Sequence, residues 1–204
     1  MSLREKKKRQ ARDAMLKVAG DLINQQGFEL TTMRDIAKAA EVSYQTLYNY
    51  FPTKAQIVQA LLLEDIMEII TRVEQILDAY DYNCLESLNK MNRARVDIVV
   101  HRERDLWREV LIDFFKMDLS ADSMYQITET AGHQTYARLL QLAQNTGELD
   151  PLVDCDVLAQ ILFSNSEYAF MRFIMDQQMS KTAVLKMLFE QTSVIIGPYL
   201  REVS

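Results

Sequence analysis

Apolar side chains return every three to four residues along most of this chain, and nowhere do they alternate convincingly in the two-residue rhythm of a strand. Ala11, Met15, Val18, Ala19, Leu22 and Ile23 predict a first helix over about residues 8–26, which Gly27 closes as a C-terminal cap. Thr32 stands three residues before Asp35, the spacing of a capping box, and Ile36, Ala37 and Ala40 give the next helix an apolar side. Ser43 starts another helix only three residues after Ala40, an interval that fits the turn of a helix-turn-helix. In that helix Leu47 and Phe51 point inward, with Phe28, Leu30 and Ile36 completing a small core. Tyr44, Gln45, Thr46, Tyr48 and Asn49 then spread over the outer face. Pro52 cannot continue a helix interior, and Thr53 caps a fourth helix expected over about residues 54–79.

Beyond Asp81 to Asn83, where the pattern breaks, Leu85, Leu88, Met91, Val96, Val99 and Val100 predict a helix to about Arg102. Another covers roughly residues 105–117, and Ser120 caps a long one that Gly147 and Asp150-Pro151 end. A further helix is expected over about residues 154–177, and Ser180 caps the last, with Gly197-Pro198 as a kink or fraying point. The expected fold is therefore all-α, with about nine helices: a three-helix head over residues 1–53 and a helical domain over residues 54–204.

The final two helices are apolar over more than one face, so two sides need covering. A second copy of the chain is the expected cover, paired about a two-fold axis as a four-helix junction. Leu158, Leu162, Phe173, Leu185, Leu188, Phe189, Ile195, Ile196 and Tyr199 are the candidate interface. The plainer alternative makes both helices central in a monomer.

Composition narrows the class. With 204 residues, 49% of them hydrophobic, the chain is long and apolar enough to bury a true core. Its net charge of −6 speaks against a nucleic-acid partner until its distribution is considered. Residues 1–54 hold ten Lys and Arg against six Asp and Glu, whereas the remainder holds thirteen against twenty-three. The head alone is basic, and Arg4, Lys6, Lys7, Lys8, Arg9 and Arg12 form an expected arm before the first helix, able to lie along phosphates or reach into a minor groove. Cys84 and Cys155 fit reduced thiols, and no apolar run has the length of a membrane span, so a soluble cytoplasmic protein is expected.

The run Thr31-Thr32, Ile36-Ala37, Val42-Ser43, Thr46-Leu47-Tyr48, Tyr50-Phe51 and Lys54 resembles the DNA-binding domain of the TetR family of bacterial transcriptional regulators. One departure stands in the turn: Glu41 occupies the place where that family usually has Gly, which matters if the backbone there has positive φ. Thr32, Arg34, Tyr48, Tyr50 and Lys54 are the expected phosphate holders; Tyr44, Gln45, Thr46 and Asn49 are the expected base readers, with Ser43 at the start of the reading helix beside them. Tyr50 also suits the head's core, and Arg34 a solvated surface. A dimer demands a roughly palindromic double-stranded operator.

The larger domain shows no catalytic constellation. Its two histidines, His101 and His133, have no Cys or Glu at metal-ligand spacing, and neither a Gly-rich phosphate loop nor a Gly-x-Ser-x-Gly elbow occurs. No enzyme, metal or cofactor is expected. Met67, Trp107, Phe114, Tyr125, Tyr136, Tyr168 and Met171 are candidates to line an adaptable pocket, although such residues also build ordinary core. His133, Asn165 and Glu167 interrupt apolar stretches and need partners; the expected effector is lipophilic or cationic, and a buried, unpaired Glu167 would favour a cationic one. The resemblance implies that a small molecule binds this domain, the fourth helix moves, and the two heads leave their DNA spacing. The alternative is a ligand-independent DNA-binding protein whose second domain serves dimerisation or a protein partner.

Overall fold

A computed structural model describes residues 2–100, 104, 106–108 and 124–201. Eight α-helices lie among them: α1 (Leu3–Gln26), α2 (Met33–Ala39), α3 (Tyr44–Tyr50), α4 (Lys54–Asp78), α5 (Cys84–Val99), α6 (Met124–Asn145), α7 (Cys155–Met175) and α8 (Lys181–Ile196). A 3-10 turn at Gly197–Tyr199 follows the last helix, at the expected Gly-Pro break. Among the described residues extended pairing is confined to one bridge, between Leu149 and Leu200.

Side-chain caps set the helix starts. Thr32, Ser43, Thr53 and Ser180 each accept a backbone N–H three residues on, as their positions predicted. Helix α1 corrects one expectation, because it begins at Leu3 and not near Lys8. Ser2 and Glu5 form a reciprocal capping box, and the Lys- and Arg-rich stretch behind it has high helix propensity. The basic residues are thus carried on a helix, not on an extended arm.

The apolar side chains form two clusters. One begins in the head with Leu16, Ile23, Ile36, Leu47 and Phe51, continues through Ile57, Leu61 and Leu62 of α4, and reaches Phe170, Phe173 and Leu188. Packing therefore passes without interruption from the head into the larger domain, with α4 as the shared element. The other cluster joins Val73 and Leu77 of α4 to Leu88, Met91, Tyr136, Leu140, Leu158 and Leu162. Leu30 departs from expectation: it lies in the turn before α2 with 73% of its surface exposed, while Phe28 alone turns inward.

Both ends of α4 are tied by hydrogen bonds. Beyond its C-terminus the buried Glu148 carboxylate accepts the Tyr80 hydroxyl and, at 2.7 Å, the Cys84 N–H. Burial, followed by the Glu148 and Cys155 charges, pushes the Cys84 thiol up to about 12, so it stays protonated.

The expected interface residues divide. Leu158, Leu162, Phe173, Leu188 and Ile196 are buried within the single chain, which corrects their assignment to a junction between copies. They lie on the inward stripe of α7 and α8, about 100° of helix away from the outward one. Leu185 and Ile195 are partly buried against the core, while Phe189 and Tyr199 are exposed. The outward apolar stripe consists instead of Val157, Ile161, Tyr168 and Met175 on α7 with Phe189 and Val194 on α8.

Candidate functional site

The turn between α2 and α3 follows from its hydrogen bonds. The Glu41 N–H donates to the Lys38 carbonyl at 3.2 Å and the Val42 N–H to the Ala37 carbonyl at 3.0 Å, the pattern of a Schellman motif. That motif needs a left-handed residue between helix and exit, and Glu41 supplies it with φ 54°. At the start of α2, the Thr32 hydroxyl and then its N–H hold the Asp35 carboxyl below the ordinary carboxylate range. Thr32 thereby spends its hydroxyl proton on Asp35, at 2.6 Å, and has none left for a phosphate. Arg34 is exposed beside it.

Helix α3 presents Tyr44, Gln45, Tyr48 and Asn49 on one exposed face. The Tyr44 and Tyr48 rings stack with centroids 6.4 Å apart, and Gln45 Nε2 donates to Asn49 Oδ1 at 3.1 Å. The two amide side chains expected to read bases are thus linked to each other on the exposed face. Ser43 and Thr46 form the rim, their hydroxyls 2.7 Å apart. Tyr50 is partly buried against the head's core.

Lys54 requires a correction. Its ammonium turns away from solvent, donates to the Phe28 and Thr31 carbonyls at 2.7 and 3.1 Å, and sits 3.8 Å from the centre of the Phe28 ring. The Phe28 carbonyl also accepts the Thr31 N–H at 3.2 Å, so Lys54 caps the turn that leads into α2. Lys54 ties the head to the first turn of α4 and does not reach outward to a phosphate.

In the larger domain a cleft opens where the two apolar clusters meet, enclosing about 920 Å³ of space that includes open solvent. Ile66, Ile69, Ile70 and Val73 give it one wall, spaced along successive turns of α4. Met91 and Arg95 of α5, Trp107, and Gly132, Thr135 and Tyr136 of α6 extend the lining, and Phe163, Glu167 and Phe170 of α7 complete it. Gly132 is required by close approach, since a Cβ there would fall 2.2 Å from the Phe163 ring.

A polar network crosses this apolar seam. Asn92 Oδ1 accepts the Tyr136 hydroxyl at 2.9 Å and the Ser166 hydroxyl at 3.2 Å. Burial pushes the Tyr136 phenol above its ordinary range, so it remains a donor. Arg95 donates to Ser166 Oγ at 3.3 Å, pairs with Glu167 at 2.5 Å, and lies 4.2 Å from the centre of the Phe170 ring.

Of the expected pocket residues, the cleft gathers Trp107, Tyr136 and Glu167. Met67 and Tyr168 instead face outward, and Met171 is absent from the lining. His133 leans on the Asp156 carbonyl at 3.3 Å, outside the cleft, and Asn165 keeps a buried Nδ2 without a partner among the described residues, also outside it. Phe114 and the side chain of Tyr125 lie outside the described residues. Glu167 is paired with Arg95, so the condition for a cationic ligand is not met. Sequence reading passed over Arg95 and the α4 wall. Spacing at i, i+3, i+4 and i+7 marks a helix face but does not say whether that face meets core or an opening.

Residues 15–61 match the family described as bacterial regulatory proteins, tetR family. Over 154 residues the chain is 27% identical to the HTH-type transcriptional repressor KstR2 of Mycolicibacterium smegmatis, an overlap covering 74% of this chain and 73% of that one. Among solved structures, a transcriptional regulator of the TetR/AcrR family from Thermobifida fusca superposes with TM-score 0.68 at 20% identity, covering 93% of this chain and 98% of that one. Thermus thermophilus FadR, a repressor solved in complex with lauroyl-CoA, superposes with TM-score 0.63 at 22% identity, covering 94% and 97%. At such identities the two structures establish the fold.

Proposed function

We propose that this chain, a member of the TetR family of bacterial transcriptional regulators, is a dimeric repressor that a small, largely apolar molecule in the cleft releases from a palindromic operator. The observation that carries this reading is the double role of α4. One stretch of it packs into the head through Ile57, Leu61 and Leu62, and the next, from Ile66 to Val73, walls the cleft. A ligand that displaces that wall acts on an element continuous with the DNA-reading core. Lauroyl-CoA in Thermus thermophilus FadR suits the same chemistry, because an alkyl chain needs branched aliphatic and aromatic walls of this kind.

In the head, Gln45 and Asn49 read base edges, with Tyr44 and Thr46 beside them, while Arg34 and Tyr48 hold phosphates. Two copies meet through the outward stripe of Val157, Ile161, Tyr168, Phe189 and Val194, which supplies the second head. Release of DNA draws only on the ligand's preference for the non-binding state; a hundredfold loss of operator affinity needs about 2.7 kcal/mol of it.

Selection from a randomised duplex library tests the reading. The expected product is a palindrome with half-sites about one helical turn apart or a multiple of it. Gln45→Ala is expected to cost roughly 1–3 kcal/mol and to relax preference at one position in each half-site. A selected site without two-fold symmetry would contradict the dimer.

A further inference from the structure

We infer that the cleft is built for an amphipathic monoanion, an apolar body with a single carboxylate head that takes the place of Glu167 on Arg95. This rests on the reading of the cleft as an effector site and adds the charge of what it takes. Arg95 and Glu167 form an ion pair at 2.5 Å, but the two partners are not held alike. The Arg95 side chain, 19% exposed, is also fixed by Ser166 Oγ at 3.3 Å and by the Phe170 ring at 4.2 Å. Glu167, 36% exposed, is held among the described residues by its ion pair with Arg95.

Exchange is therefore permitted in one direction. Glu167 can swing into water and regain its hydration, while Arg95 stays in place as a mostly buried cation that needs an anion within reach. A cationic ligand would require the reverse: Glu167 keeps its place and a mostly buried guanidinium goes unpaired. The planar fork of Arg95 also matches a carboxylate in two-point geometry. Among the described residues the other hydroxyls of the lining are already donated within the protein. The Tyr136 hydroxyl is donated to Asn92 and the Thr135 hydroxyl to the Ala131 carbonyl. Around Arg95 and Glu167, Ile66, Ile69, Ile70 and Val73 offer only hydrocarbon.

The chain's single tryptophan, Trp107, lines the cleft, so its emission reports occupancy directly. Four probes with a common alkyl chain separate head groups from the chain: decanoate, decanol, methyl decanoate and decyltrimethylammonium. Decanoate is expected to bind at least about tenfold more tightly than the other three. Glu167→Gln, which removes the competing carboxylate charge, is expected to tighten decanoate severalfold. Arg95→Met is expected to bring decanoate and decanol within about twofold of each other. If decanol or decyltrimethylammonium matched decanoate in the unmodified protein, the head-group inference would be overturned while the effector reading stood. A Glu167→Gln protein that binds decanoate more weakly would overturn the exchange as well. If no probe altered Trp107 emission, both the inference and the effector reading would fall.

Discussion

At its first residue α4 is tied by Lys54 to the Phe28 and Thr31 carbonyls, and just beyond its last turn Glu148 holds Tyr80 and Cys84, whereas one side of its middle turns, from Ile66 to Val73, borders the cleft. The two ties use partners that cannot leave: main-chain carbonyls in one case, a buried carboxylate meeting a main-chain N–H in the other. The charged group that faces the middle, Arg95, is answered by a side chain that can swing away. In the proposed mechanism, a helix tied at both ends and bordered by the cleft along one side transmits displacement by tilting between two anchors.

Variants can break this contrast, beginning with the anchors. Glu148→Ala removes the acceptor for two buried or part-buried donors and is expected to cost about 3 kcal/mol in a denaturant melt. A loss within error would show that this anchor is not one. Lys54→Ala is expected to cost about 1–2 kcal/mol, with the salt dependence of operator binding unchanged, since its ammonium serves the fold. A salt slope lower by about one unit would return Lys54 to the phosphates. In the middle, Ile70→Ala is expected to cost under about 1 kcal/mol, because its side chain borders open space and leaves little new cavity. Stability lost on the scale of a core Leu→Ala change would mean that the wall is core. Outside α4, Glu41→Gly is expected to be neutral or to stabilise by about 0.5 kcal/mol, relieving a side chain held at φ 54°. A clear loss there would contradict the strain.

The head was legible because local rules decide it. Thr32, Ser43 and Thr53 cap where hydroxyls precede apolar periods, and the short interval from Ala40 to Ser43 leaves room for one turn only. Lys54 escaped because its partners are carbonyls 23 and 26 residues away, which no spacing rule reaches. The cleft was half legible: Trp107, Tyr136 and Glu167 stood out as unusual residues, but Ile66, Ile69 and Ile70 look like any core stripe. The α7 and α8 interface failed in register. Both helices are apolar over two faces, and a step of one residue separates the buried Leu158 and Leu162 from the exposed Val157 and Ile161.

In the proposed function, occupancy of the cleft and grip on the operator are linked through α4. The most direct test of that link titrates decanoate against the protein bound to its selected operator, following Trp107 emission and DNA anisotropy in one cuvette. Both signals are expected to change over the same concentration range, and saturating ligand to lower operator affinity at least about tenfold. Saturation of the Trp107 signal with operator affinity unchanged would contradict it.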